Sequence, residues 1–296
     1  MIVRDTPGPL ELIFALRGSI VPRIALRILT LMLVAAGLVW LDHGYARLPE
    51  PGGLGFTVFG IALSLFLGFR NNAAYDRWWE ARKLWGGLLA DIRSLARDVE
   101  VFVADPTTGH AILRTALAFM HLHRLHLRRQ PPSSDLQAEA RAFTAAAHPP
   151  CAALDAMTNH VANAFRSGQV DGFGARALTT RIAAIAAQQA GCERIANSPL
   201  PFVYSLLIYR TTYLYCLLLP LALTATTGWM TPVFVAVVAY MFLGLAEVTE
   251  ELSHPFAPSQ NGIALDAICR AAEISLAPHL GEAAPPALQP VHHYLS

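Results

Sequence analysis

Charge is what this sequence lacks most. Only 15 % of its 296 residues are Asp, Glu, Lys or Arg, while 54 % are apolar; an ordinary soluble domain carries about a quarter charged residues. A shortage of that size turns the expectation from a soluble protein to a membrane protein. The net charge of +1 offers no cationic surface for nucleic acid, so no nucleic-acid partner is expected. Cysteine is scarce as well. Cys151, Cys192, Cys216 and Cys269 lie far apart without a CxxC, which excludes a disulfide framework or a zinc-ribbon pattern and leaves packing thiols. The glycine-rich phosphate loop, the nucleophile-elbow pattern Gly-x-Ser-x-Gly and the zincin pattern His-Glu-x-x-His are missing too. No enzyme, no cofactor and no metal site is expected on these grounds.

What is present is a set of long apolar runs at 21–40, 54–69, 200–223 and 231–246. A bilayer core takes roughly 20 helical residues, and flanking Trp, Tyr and Arg extend a short run by sitting at the headgroup layer. Four transmembrane helices are expected, at about 21–40, 54–76, 200–223 and 231–248. Ala35-Ala36-Gly37 resembles a signal-peptide cleavage site, but the apolar run continues to Trp40, which suits a retained anchor. Arg4, Arg17, Arg23 and Arg27 precede or open the first span, and Arg70, Arg77, Arg82 and Lys83 follow the second. The loop 41–53 holds one arginine and 224–230 no charge. Positive-inside bias therefore puts both termini and the middle of the chain in the cytoplasm, as in a multi-pass protein of the cell inner membrane.

The middle is alanine-rich and shows few β-branched alternations, so it reads as helical. Long helices are expected over 81–103 and 110–129, broken by Asp105-Pro106 and Pro131-Pro132. Further helices are expected over 140–147, ending at Pro149-Pro150, then over 154–166 and 175–196, with a glycine turn at 168–174. The cytoplasmic helical region thus covers about 80–199 and 250–280, and the proline-bearing tail 281–296 is expected to lie extended. His121, His123 and His126 crowd one helix, and the last two are three apart, a spacing that suits a metal pair. Arg124, Arg128 and Arg129 beside them oppose a divalent cation, so a solvated helix face is the expectation.

One stretch stands out. Ile61, Leu65 and Phe69 are four apart, so they drift only about 40° around a helix per step and make a narrow stripe of bulky apolar side chains. Such a stripe packs against lipid or a core, or, with several copies around an axis, stacks hydrophobic collars that gate by dewetting. It stops at Arg70, where charges and tryptophans begin. "IALSLFLGFRNNAAYDRWWEARKLWG" (61–86), "GCERIANSPLPFVY" (191–204) and "EELSHPF…LDAICR" (250–270) together resemble the bestrophin family in its bacterial branch, over most of the chain.

The resemblance implies one channel domain over 1–296: an all-α membrane protein with four transmembrane helices per subunit, continuing into a cytoplasmic helical domain. It implies a homopentamer around a central pore, with membrane lipid and permeant monovalent ions as the other partners. By position the pore neck carries over to Ile61, Leu65 and Phe69. A cytoplasmic aperture carries over to Phe173, counted back from Gly191-Cys192; from its neighbours alone, Phe173 equally suits a helix-start packing residue. Arg70, Asp76, Arg77, Trp78, Trp79 and Glu80 then form the membrane–cytosol junction. There Trp78, Trp79 and Trp85 anchor and pack, and Asp76, Arg77 and Glu80 can pair across subunits. Eukaryotic members hold calcium in an acidic clasp after a Pro-Phe-Gly turn; here "HPFAPSQNG" (254–262) contains no carboxylate. Glu250 and Glu251 alone are a poor calcium set, so no calcium gating is expected, and His254 in the turn is expected as a hydrogen-bonded structural residue. The neck is uncharged and cannot choose an ion sign. The bacterial branch leans to cations, with an anion (chloride) channel as the alternative. The rival of another class is a membrane-embedded enzyme or binding scaffold built on the histidine-rich helix.

Overall fold

The computed structural model describes all residues except 4–7, 14, 16–17, 46, 48, 50–52, 133–135 and 137. Arg4 and Arg17, used above for orientation, lie outside the described residues. In chain order the helices are α1 (Pro9–Ile13), α2 (Val21–Gly44), α3 (Gly53–Phe102), α4 (Pro106–Arg128), α5 (Ala138–Arg141), α6 (Pro149–Arg166), α7 (Gly172–Asn197), α8 (Phe202–Thr227), α9 (Thr231–Leu252) and α10 (Leu265–Leu276). Among the described residues there is no strand, only two isolated bridges that involve Tyr294. The all-helical expectation holds. Among the described residues, three continuous helical stretches, Val21–Gly44, Gly53–Phe102 and Phe202–Leu252, are long and apolar enough to cross a membrane; the last contains α8 and α9, joined by the 3-10 turn Gly228–Met230.

The chain divides into two compact units. The first, Asp5–Trp78 with Pro199–His254, holds α1, α2, the first half of α3, α8 and α9. Its core interleaves Leu31 and Ala35 of α2, Leu63 and Leu67 of α3, Ile208 and Tyr215 of α8, and Val235, Ala239 and Leu243 of α9. Each set repeats at three, four or seven residues, the spacing that keeps one helix face inward.

The second unit is Met1–Arg4, Trp79–Ser198 and Pro255–Ser296. The second half of α3 buries Trp85, Leu88, Ile92, Leu95 and Val99, an alternating three-and-four spacing that presents a coiled-coil-like seam. Two proline sites behave differently from expectation. Pro106 and Pro149-Pro150, expected as helix breaks, each open a helix, because proline lacks only an N–H that the first turn leaves unbonded anyway. Asp105 caps α4 by accepting from Thr107 and Thr108 N–H, and His148 caps α6 by accepting from Cys151 N–H. The helix expected over 140–147 shrinks to α5 followed by turns, since too few residues remain before Pro149 to repay nucleation.

The tail 281–296 is extended over its first half and then turns. Val291 and Tyr294 exchange both backbone hydrogen bonds across His292 and His293, each with positive φ, the signature of a tight type I′ turn. Leu295 N–H then bonds the Met1 carbonyl, and Ile2 bridges Tyr294.

Candidate pore-lining surface

The stripe on α3 is exposed in the single chain. Ile61 is 64 %, Leu65 57 % and Phe69 64 % accessible, whereas Leu63 and Leu67 on the opposite face are 3 % and 1 % accessible. One helix thus carries a buried apolar face and an equally apolar open one. The open face forms part of a shallow groove of 790 Å³, lined by Thr57, Ile61, Ser64, Leu65, Phe69 and Asn72 on α3, with Tyr215, Val238, Met241 and Phe242 across from them. A side chain at Gly60 would begin 2.8 Å from the Tyr215 hydroxyl, so glycine sets how closely α8 approaches. Tyr215 is held edge-on by Phe59 and Phe242 at ring separations of 5.3 and 5.6 Å. The far wall was not singled out from sequence; its aromatics sit in apolar runs where every position is hydrophobic.

Where the stripe ends, Arg70 turns inward. It is nine-tenths buried and donates to Glu250 Oε2 at 2.8 Å and to Ser205 Oγ at 2.7 Å. Arg23 pairs with Glu251 and Glu247, and Arg27 with Glu247. Glu247, Glu250 and Glu251 therefore face arginines from the start of α2 and the middle of α3. Sequence reading named Arg70 but missed its partners. A signal was available: carboxylates in the last turns of a helix oppose its dipole, so Glu250 and Glu251 call for nearby cations. Arg77 Nε donates to the Ser253 carbonyl at 2.9 Å, and Asp76 is exposed. Trp78 stacks on Tyr75. His254 lies 3.1 Å from the Glu250 carbonyl through Nδ1 and is otherwise exposed.

In the second unit Glu80 accepts from Arg194 at 2.6 Å. Arg77 and Glu80, expected as candidates for pairing between subunits, thus have partners within the chain. Trp79 is partly exposed, but Trp85, expected to anchor the junction, is fully buried against His123. Phe173 stands at the start of α7, 84 % accessible. Its outward register has a cause. Asp171 caps the helix through Gly174 N–H, and any side chain at Gly174 would meet Phe102 and Val170 at 2.9 Å, so position 174 faces in and 173 faces out. Arg181 fastens the same helix to α3 through Asp91 and Asp98, at 3.1 and 3.2 Å.

The clustered histidines of α4 do not form one solvated face: His126 is exposed, but His121 and His123 turn inward. His121 meets Glu273 at 2.7 Å. His123 is fully buried, stacked between Trp85 and Phe119 at 5.5 and 5.6 Å. His126 faces His148. Each points to a different neighbour, so the His123–His126 metal pair does not form. Burial, reinforced by His126 and His148, pushes the His123 pKa down to about 3, so its ring is neutral. Burial likewise pushes the Cys192 and Cys269 thiols up to about 12, as befits packing thiols.

Comparison with known proteins gives a consistent answer. The family model for the bacterial and fungal bestrophin protein matches residues 1–278. The chain is 46 % identical to the voltage-dependent anion channel-forming protein mll4386 of Mesorhizobium japonicum, covering 100 % of this chain and 97 % of that one. It is 38 % identical to the voltage-dependent anion channel-forming protein YneE of Escherichia coli, covering 99 % of both. It superposes on the crystal structure of a bacterial bestrophin homologue from Klebsiella pneumoniae with a TM-score of 0.80 at 30 % identity, over 90 % of this chain and 100 % of that one. With an apolar helical stripe open at its surface and relatives of this kind along its length, the chain belongs to the bacterial and fungal bestrophin family and is a membrane ion channel, not an enzyme.

Proposed function

We propose that the chain assembles as a homopentamer around an axial pore that conducts small monovalent ions passively, and that Ile61, Leu65 and Phe69 form its hydrophobic neck. The observation that carries this reading is the two-faced α3: Leu63 and Leu67 are buried while three equally bulky residues on the other face lie open. A monomer gives that open face no use beyond lipid contact, whereas a ring of copies turns it into stacked collars. Phe173, outward at the start of α7, serves as the cytoplasmic aperture. The four spans lie in the inner membrane, surrounded by lipid, with both termini cytoplasmic. Arg70, Asp76, Arg77, Trp78, Trp79 and Glu80 form the passage from membrane to cytosol.

For the ion we favour anions over the cations to which the family branch leaned. The neck carries no charge, so the weight falls on the relatives. Those matching most of the chain at 46 %, 38 % and 34 % identity are named as anion channel-forming proteins. Calcium has no part in opening, because Glu250 and Glu251 are engaged by Arg70 and Arg23 and the turn that follows offers no carboxylate. The assembly is tested by native mass measurement of the detergent complex, using a preparation that conducts after reconstitution. Five copies are expected; a conducting monomer or dimer overturns the reading.

A further inference from the structure

His126 in the last turn of α4, His148 at the cap of α6 and Glu193 on α7 bring one ligand atom each to within 4.8 Å of one another. The two imidazole rings are 4.5 Å apart, and His148 Nε2 lies 3.4 Å from Glu193 Oε1. The carboxylate is itself oriented: Gln189, almost fully buried, donates to Glu193 Oε1 at 2.7 Å and also reaches Cys151 Sγ at 3.3 Å. A cavity of 350 Å³ lined by His126, Arg129, Gln130 and Glu193 opens beside the group, leaving room for an entering ion and its water. We propose that His126, His148 and Glu193 bind a divalent transition metal of the zinc class, clipping α4, α6 and α7 together.

Two imidazoles and a carboxylate, with one position left to water, are the donor set zinc accepts. Calcium and magnesium prefer all-oxygen shells. Gln189, hydrogen-bonded to Glu193, supplies the outer support that such ligands need. The cations that argued against a metal on α4 are mostly directed elsewhere, since Arg124 and Arg128 both pair with Asp266. Arg129 stays close. Burial first, then His148 and Arg129, hold His126 below its ordinary range against the pull of Glu193. One feature limits the affinity. His148 Nδ1 accepts the Cys151 N–H at 3.3 Å, and a metal on Nε2 moves the ring proton to Nδ1 and ends that cap. Binding is therefore weakened by the loss of that cap and is reversible.

The test titrates tag-free purified protein with Zn²⁺ against a chromogenic chelator and with Co²⁺ by visible absorption. One Zn²⁺ per chain is expected, with a cobalt spectrum of low coordination number. His126→Ala and Glu193→Gln should each weaken binding at least tenfold. His148→Asn should do the same while keeping the helix cap, because asparagine caps well. His160→Ala, on α6 outside the group, should leave binding unchanged. No Zn²⁺ uptake at a hundredfold the protein concentration, or uptake unaltered by the three ligand variants, overturns the proposal.

Discussion

Leu65→Ala separates a pore-lining stripe from a packing stripe, provided it is measured beside Leu63→Ala. The two residues lie about 160° apart on α3 and differ sharply in burial, 57 % against 3 % accessible. Leu63 is a core leucine, so its truncation should cost about 2–5 kcal/mol of stability through lost transfer and a residual cavity. Leu65 is a little over two fifths covered. At about 1.5–3 kcal/mol for a fully buried leucine, its truncation costs roughly 0.6–1.3 kcal/mol. In the proposed neck, each copy contributes one Leu65 to the middle collar. A hydrated ion cannot shed water against alkyl walls without replacement ligands, so shortening every copy widens the narrowest dry segment. Lowering that barrier by about 1.4 kcal/mol raises flux tenfold. Leu65→Ala should therefore raise ion flux with little loss of stability, and Leu65→Ser at least as much by wetting the ring. Leu63→Ala should lower the yield of folded oligomer without raising flux. The assay is proteoliposome flux normalised to intact oligomer by size-exclusion chromatography. Equal effects at 63 and 65 would refute a pore-facing stripe.

Three further outcomes follow from the geometry. Conductance should be indifferent to micromolar calcium on the cytoplasmic side, because Glu250 and Glu251 already face arginines; strong activation over that range would show that ligands come from elsewhere. His123 protonates near pH 6.5 when unfolded but only near 3 when folded, so its share of stability is present above 6.5 and lost by about 1.4 kcal/mol per unit as pH falls from there. His123→Phe, which keeps the stack on Trp85 and Phe119, should melt with a shallower acid dependence, and parallel curves for the two proteins would contradict this. A Cβ at Gly262 would lie 2.1 Å from the Ala257 carbonyl oxygen, a backbone atom that cannot swing aside. Gly262→Ala should cost about 1–3 kcal/mol, and an unchanged melting temperature would count against the turn.

Local periodicity made the apolar helices legible. Ile61, Leu65 and Phe69 repeat at one helical turn, and the structure keeps all three on the open face of α3. Arg70 could be recognised as the end of the apolar run, but its ligands Ser205 and Glu250 lie 135 and 180 residues away, beyond any local pattern. The histidines of α4 failed for the same reason. Spacing says that His123 and His126 share a helix side, yet Trp85, Glu273, His148 and Glu193, which decide what each does, come from four other elements. Pro106 and Pro149 look like breaks in sequence because a proline ends one helix and opens the next with the same residue; the capping Asp105 and His148 settle which. The tail shows an extended composition, while the bond from Leu295 to Met1 joins positions that no sequence window spans.

The central claim, a passive anion pore, is tested most directly by recording the purified protein in a planar bilayer under a potassium chloride gradient. Current should flow without calcium and reverse on the chloride side of zero. Reversal on the potassium side would contradict the anion reading, and the absence of any current from intact oligomer would contradict the pore itself.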